Sequence, residues 1–403
     1  MSKTRLELKD IEIAASRLRD VLHYTPLTRS DTFSRMANAE IFLKYENLQK
    51  TGSFKIRGAY NKIFEIKDET AEVVAASAGN HAQGVAFASR ALGLNSTIVM
   101  PKSTPIAKVK ATEGYGANVV LSGSCYDDAF DTAMTLQRER GAAFVHPFND
   151  LSVIAGQGTI GQEILKDLPS VDVVFIPAGG GGLLAGTAFY LKNINPRIKI
   201  VGVQAEGAPA IVNSFRERAL RASQAVSTIA DGIAVKTPGE AALELINQYV
   251  DEMVTVTDAE ISSAILFLLE RGKQMIEPAG AASLAAAIGG RVEVEGKRCA
   301  CILSGGNIDV GFIHRIIEIG LAARNRKLKF KTIMPDIPGS LEKVAKIMSD
   351  AFANIVMVQY DRMSADLAPE DVILHIACEV GGKEHGQSVI EALENNGYRV
   401  FVE

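Results

Sequence analysis

The chain has 403 residues, 47% of them hydrophobic and 22% charged, and 43 Lys and Arg against 47 Asp and Glu leave a formal net charge of −4. This is the balance of a globular protein with two or three domains and a substantial core; it excludes a small stapled module and gives no global sign of nucleic-acid binding. Cys125, Cys299, Cys301 and Cys378 form no C-x-x-C pair, so neither a disulfide framework nor a zinc cluster is expected and a reducing cytoplasm suits the chain.

Residues 1–20 mix acids and bases without an apolar stretch, which argues against a secretory signal. A helix over 6–22, the turn Thr25-Pro26 and an extended segment over 41–46 follow. Between about 70 and 320, short runs rich in Val and Ile alternate with amphipathic stretches, the pattern of βα units that build a mainly parallel sheet. Strands are expected at 73–76, 96–100, 117–121, 171–176, 198–203 and Arg298–Leu303, and helices at 82–90, at 127–139 behind an N-cap at Ser124, and at 152–166. The uncharged run 173–191 comes nearest to a membrane span, but Pro177 and the glycines 179–182 within it argue against a lipid-exposed helix. After Leu321, Arg324, Arg326, Lys327, Lys329 and Lys331 lie close together with no acid among them and are read as a solvated linker. Beyond them come a strand (328–334), a turn at Pro338-Gly339, a helix (341–350), strands (355–360 and 372–378), a helix (384–396) and a strand (398–402). That order is a ferredoxin-like βαββαβ module.

Four segments combine residue types that carry chemistry. In Lys50-Thr51-Gly52-Ser53-Phe54-Lys55-Ile56-Arg57-Gly58-Ala59 a lysine starts a helix, with Thr51 or Ser53 as N-cap. A cation there opposes the helix dipole and loses proton affinity, and a lysine that can be neutral is able to form a Schiff base and to act as a base. Ser77-Ala78-Gly79-Asn80-His81 joins a strand to a helix and offers backbone donors suited to a carboxylate, with the His81 ring in a structural role. Gly179-Gly180-Gly181-Gly182-Leu183 does the same for an anion. By itself this run suits a phosphate monoester or a dinucleotide, because Gly180-x-Gly182-x-x-Ala185, with Glu206 ending the next strand, also fits the dinucleotide pattern. Ser304-Gly305-Gly306-Asn307 closes a strand at the carboxyl edge of the sheet, where α/β proteins bind ligands.

Together and in this order, S-F-K-I-R-G-A, S-A-G-N-H, G-G-G-G-L and S-G-G-N resemble the fold type II pyridoxal-phosphate enzymes, of the tryptophan synthase β type, and within them the threonine dehydratase (threonine ammonia-lyase) group. The resemblance spans about residues 5–320, and a dinucleotide site would explain neither Lys55 nor the Ser304 turn. It implies an α/β catalytic unit, 1–323, with two subdomains built on parallel sheets, the smaller at about 45–150, and pyridoxal 5'-phosphate as cofactor. Residue by residue it implies Lys55 as the coenzyme-bearing lysine and Cα base, Phe54 as a ring contact, and Asn80 as partner of the 3′ oxygen. Gly179, Gly180, Gly181, Gly182 and Leu183 would hold the phosphate, and Ser304 would meet the pyridine nitrogen. Ser77, Ala78, Gly79, His81 and Gly232 would meet the substrate, and Glu277 would lie near the ring.

A hydroxyl at position 304 cannot hold a pyridinium proton as an aspartate would, which favours β-elimination over transamination. The implied reaction is dehydration and deamination of L-threonine to 2-oxobutanoate and ammonia, in isoleucine biosynthesis or threonine catabolism, and of L-serine to pyruvate. A serine-preferring dehydratase and a catalytically inactive amino-acid sensor are the alternatives. Serine racemases similar to this chain carry a serine where it has Ala78, and sulfhydrylases and threonine synthases usually carry Asp where it has Ile56. Racemisation should therefore be minor, and β-replacement and γ-elimination are not expected. Gln204, Ala208 and Ala210 stand where some dehydratases of the group have acidic metal ligands, so no metal site is expected. The module at 328–403 resembles an ACT regulatory domain. That resemblance implies Asp336, Gly339 and Asn354 as contacts to an amino-acid effector such as isoleucine at a subunit interface. The whole would be an allosteric, cytoplasmic homodimer or homotetramer without nucleic-acid or membrane partners.

Overall fold

The computed structural model describes residues 5–363 and 367–403, and these divide into two compact units, the first ending at Gly311 and the second beginning at Phe312. The strands of the first unit are β1 (Leu27–Arg29), β2 (Glu40–Tyr45), β3 (Glu72–Ala76), β4 (Asn95–Met100), β5 (Asn118–Leu121), β6 (Ala143–Phe144), β7 (Val173–Pro177), β8 (Lys199–Ala205), β9 (Glu252–Val256) and β10 (Arg298–Leu303). Those of the second are β11 (Lys327–Pro335), β12 (Asn354–Asp361), β13 (Asp371–Glu379) and β14 (Val400–Val402).

Two sheets organise the first unit. The smaller runs β5-β4-β3-β6 and is parallel throughout. The larger runs β1-β2-β10-β7-β8-β9 and is parallel except for β1, which lies antiparallel on β2. Strands covered by helices on both faces read as unbroken apolar runs, and Val173–Pro177 is buried at every residue. Val174, Ile176, Ile200, Ala300 and Ile302 of the larger sheet pack with Ile160, Leu184 and Ala188 into one core cluster. Its helices Leu151–Asp167 and Gly182–Ile194 approach so closely that a Cβ on Gly186 would stand 2.2 Å from the Ile154 carbonyl oxygen. A glycine inside a helix, normally unfavourable, is explained by that contact.

Where the sequence and the structure part, the reasons are local. The first helix spans Leu8–Leu18, shorter than 6–22. β9 escapes the pattern because it is a short edge strand in which only Met253 and Val256 are buried. The helix Tyr126–Arg140 takes Cys125, not Ser124, as its N-cap; the Asp128 carboxylate turns back to accept from the Ser124 N–H at 2.7 Å and the Cys125 N–H at 3.3 Å. The helix Lys55–Ile66 starts from Phe54, and neither Thr51 nor Ser53 caps it. Of the cationic stretch 324–331, only Arg324 and Arg326 lie in a connection, the short turn between the helix Val310–Ala323 and β11; the three lysines belong to the strand. Lys327, Lys329 and Lys331 alternate with inward-facing residues along β11, whose Phe330, Thr332 and Met334 are buried. Period-two alternation, not solvation, explains the crowding of charge.

The second unit is an antiparallel sheet in the order β12-β13-β11-β14. Helices Ser340–Asp350 and Lys383–Asn395 complete the βαββαβ succession. Phe330, Met334, Val344, Met348, Leu374, Ile376, Val389 and Leu393 form its core. Among the described residues, no helix is long and apolar enough to cross a membrane.

Candidate active site

The lysine segment and the Ser304 turn form one structural piece. As the chain leaves β10 it pairs with the loop before Lys55: the Phe54 N–H donates to the Ser304 carbonyl at 3.1 Å, the Gly306 N–H donates to the Gly52 carbonyl at 2.9 Å, and Ser53 faces Gly305 as an antiparallel bridge. Gly52 has φ +72, and a Cβ there would lie 2.3 Å from Asn307 Oδ1, so both the backbone and the space require glycine. Lys55 then opens its helix, donating from Nζ to the Pro147 carbonyl at 3.2 Å and lying 5.3 Å from the Phe54 ring centroid. Burial lowers its pKa to about 8, with nearby Glu277 acting the other way. Such an amine is a competent nucleophile and base near neutrality.

Arg57 anchors the same helix from below. It is 2% exposed and holds Glu46, next to β2, through Nε and Nη2 at 2.8 Å each. It also holds Glu163 of the helix Leu151–Asp167 through Nη1 at 2.6 Å and Nη2 at 3.0 Å. Burial alone would raise the Glu46 pKa, but the Arg57 charge outweighs it and keeps the carboxyl below its ordinary range.

The second motif turns at the carboxyl end of β3. The Ser77 N–H extends the ladder to the Val99 carbonyl at 3.1 Å, and Ser77 Oγ accepts from the Gly79 N–H at 3.3 Å. With half-buried Ala78 between them, the chain enters the helix Asn80–Ala91, whose first N–H groups have no intrahelical acceptor. The His81 ring points away from this turn: Nε2 donates to the Val145 carbonyl at 2.9 Å, leaving Nδ1 unprotonated and without a partner among the described residues. Burial, reinforced by Lys55, pushes its pKa down to about 3 and keeps the ring neutral. Asn80 is held at both ends of its amide. Nδ2 donates to Glu277 Oε1 at 2.7 Å, and Oδ1 accepts from Asn307 Nδ2 at 2.7 Å. Glu277 is 4% exposed at the start of the helix Pro278–Ile288, and burial raises its pKa to about 7.

The glycine run links β7 to the helix Gly182–Ile194, with Gly181 at φ +100. A Cβ on Gly180 would stand 2.2 Å from the Phe148 ring, one on Gly182 3.1 Å from Phe148 Cα, and one on Gly179 3.0 Å from Ile233 Cα. The loop is thus a side-chain-free cradle whose N–H groups, with the helix start, suit a phosphate. Pro147 accepts from Lys55 while the next residue, Phe148, touches the cradle, so consecutive residues bring amine and anion site together. Gly232 borders the same cleft, since a Cβ on it would come within 3.6 Å of Glu277 Oε1.

Lys55, Phe54, Asn80, Ser304, Gly232 and the 179–183 loop therefore converge, with Ser77, Ala78 and Gly79 on the Asn80 turn. Leu183 is the second residue of the helix Gly182–Ile194 that follows the loop, and its side chain joins the core. Glu206 is exposed beyond β8, and Gln204 Oε1 is taken by the Val212 N–H at 2.8 Å. Among the described residues no cluster of three His, Cys, Asp or Glu could hold a metal. Sequence reading assigned no role to Asn307, Pro147 or Phe148. Asn307 stood inside a quoted motif, whereas Pro147 and Phe148 carry no local signal because their contacts are tertiary.

In the second unit the Asp336 carboxylate accepts from Arg362 Nε at 2.7 Å and Nη2 at 3.0 Å, which lowers the Asp336 pKa. Gly339 has φ +90 before the helix Ser340–Asp350. Asn354 donates to Glu379 Oε2 at 3.0 Å. Pro335 pairs with Asp371, and Asn354 pairs with Glu379 at the other end of the same strand. One chain therefore does not bring Asp336 and Gly339 together with Asn354.

The family model for pyridoxal-phosphate dependent enzymes matches residues 18–305. The chain is 46% identical to the L-threonine ammonia-lyase of Thermotoga maritima over 399 residues, which is 98% of this chain and 99% of that protein. It is similar to the processed form of threonine deaminase isoform 2 from Solanum lycopersicum, with a TM-score of 0.75 and 39% identity over 77% of this chain and 86% of that one. It is also similar to maize serine racemase, with a TM-score of 0.74 and 33% identity over 79% and 98% respectively.

Proposed function

Because the chain belongs to the pyridoxal-phosphate dependent enzymes and resembles a threonine ammonia-lyase along its whole length, we propose that the cleft at Lys55 dehydrates and deaminates L-threonine to 2-oxobutanoate and ammonia. The observation that carries this reading is one cleft holding a lysine of lowered pKa, a glycine cradle and a buried serine. These residues fit the coenzyme. The cradle would hold its phosphate through Gly179, Gly180, Gly181, Gly182 and Leu183, the Lys55 amine would take its aldehyde, Phe54 would border the ring, Asn80 would donate to the 3′ oxygen and Ser304 would face the ring nitrogen. Bound there, pyridoxal phosphate supplies the electron sink that acidifies Cα of an amino acid.

Lys55 then has the proton-transfer role, taking the proton from Cα. The N–H groups at the start of the helix Asn80–Ala91, with Ser77, Gly79 and the backbone of His81, bind the substrate carboxylate, and Gly232 borders the substrate. Ser304 offers a neutral hydroxyl, so negative charge at Cα is spent on expelling the β-hydroxyl and not stored in the ring. Ala78 has no proton to give, which leaves the face of Cα that a second acid would serve without a donor and keeps racemisation minor. Water lost in the elimination is regained on hydrolysis, so the net products are the keto acid and ammonia. L-serine undergoes the same sequence to pyruvate.

Catalysis belongs to residues 1–323, with a smaller subdomain at about 45–150, and sensing of an amino-acid effector belongs to the ACT-like 328–403. Val356, Met357, Val358 and Tyr360 of the edge strand β12 are exposed. A second copy laid antiparallel along that strand would carry Asn354 of one chain toward the turn at Asp336 and Gly339 of the other. This supports an effector site completed by homo-oligomerisation, with isoleucine as the first ligand to try.

The test compares kcat/KM for L-threonine and L-serine, with and without isoleucine, in protein saturated with coenzyme. Borohydride treatment should leave reduced coenzyme on Lys55, read by peptide mass, and Lys55→Ala should abolish ammonia release. Full activity in that variant would refute the assignment.

A further inference from the structure

Resting on the reading above, we infer that Asn307 is a positioning residue that locks the Asn80 amide with its N–H edge available to the coenzyme's 3′ oxygen. An Asn amide looks nearly the same after a half-turn, so its orientation has to be fixed by its neighbours. Here the assignment begins at a group that cannot be ambiguous. The Thr51 carbonyl can only accept, and Asn307 Nδ2 donates to it at 2.7 Å. The same nitrogen lies 2.7 Å from Asn80, where it must again donate, so the Asn80 atom it meets is Oδ1. Both N–H groups of Asn307 are then used, and Asn80 Nδ2 is turned to the Glu277 side, donating to Oε1 at 2.7 Å. The second N–H of Asn80 is left for the 3′ oxygen.

Glu277 cannot enforce this alone. Its pKa is raised to about 7, and in the protonated form it could donate to a reversed amide as readily as it accepts from the native one. Reversal would place Oδ1 where the donor belongs and set two acceptors against each other. Gly52 serves the lock as well, because a Cβ there would occupy the place of Asn307 Oδ1.

The experiment compares wild type, Asn307→Ala, Asn307→Asp, Asn80→Ala and the double variant Asn80→Ala/Asn307→Asp. Each is titrated with pyridoxal phosphate as apoprotein, its visible absorbance band recorded, and its kcat and KM for L-threonine measured. Asp at 307 cannot donate, so it should shift the band, weaken coenzyme binding at least ~10-fold and lower kcat more than it raises KM, with Ala milder in the same direction. In the Asn80→Ala background the same substitution should change neither band nor affinity, because it acts through Asn80. An unshifted band with wild-type affinity in Asn307→Asp, or full additivity in the double variant, would overturn the inference. If Asn307→Asp does not fold, Asn307→Ser removes the donor without adding charge and is read by the same criteria. A wild-type protein that binds no coenzyme would instead overturn the proposed function, so the two failures are distinct.

Discussion

At position 55, withdrawal of water lowers proton affinity, and the Glu277 carboxyl partly restores it. The helix start offered the first hint of this from the sequence, but burial is the larger cause. A consequence follows for loading of the coenzyme. Only a neutral amine attacks an aldehyde, so the rate at which apoprotein takes up pyridoxal phosphate should rise with pH through about 8 and level off above it. Rapid-mixing absorbance measurements across that range would show it. A rate still climbing toward the ordinary lysine value would mean that the cleft does not depress Lys55.

Between elements, Arg57 joins the lysine helix to the end of β2 and to the helix Leu151–Asp167 through Glu46 and Glu163. Removing one partner of such a buried pair strands the other charges, at a cost of about 3–5 kcal/mol. Arg57→Leu should lose that much stability in urea unfolding of the apoprotein, and a loss below about 1 kcal/mol, typical of an exposed pair, would contradict the account. Parallel strands were legible because covering helices make them continuously apolar, as at Val173–Pro177, and the four motifs marked their turns. Less legible were features set by partners. Thr51 and Asn307 meet across 256 positions of chain, and Phe148 fills the space beside Gly180 with no pattern to announce it. The lysines of β11 misled because a count of charge ignores that alternate residues face opposite ways.

For the molecule as a whole, the effector response proposed above is tested on the second unit. Gly339 has φ +90, and a Cβ there would meet nothing within 4 Å, so a side chain would strain the backbone without creating a clash inside the chain. Gly339→Ala should therefore leave uninhibited kcat for L-threonine at the wild-type value while abolishing the shift that isoleucine causes in the saturation curve and in the melting temperature. An equal isoleucine response in both proteins would place the effector elsewhere.

The pairing of residues 52–54 with 304–306 through main-chain bonds separates two properties that enzymes of this kind must tune. In the site proposed above, the reach of the amine is written in peptide geometry, whereas the electronic character of the group facing the coenzyme nitrogen would be written in the single replaceable side chain of Ser304. Such a scaffold can change which bond it breaks without rebuilding the hand that holds the tool.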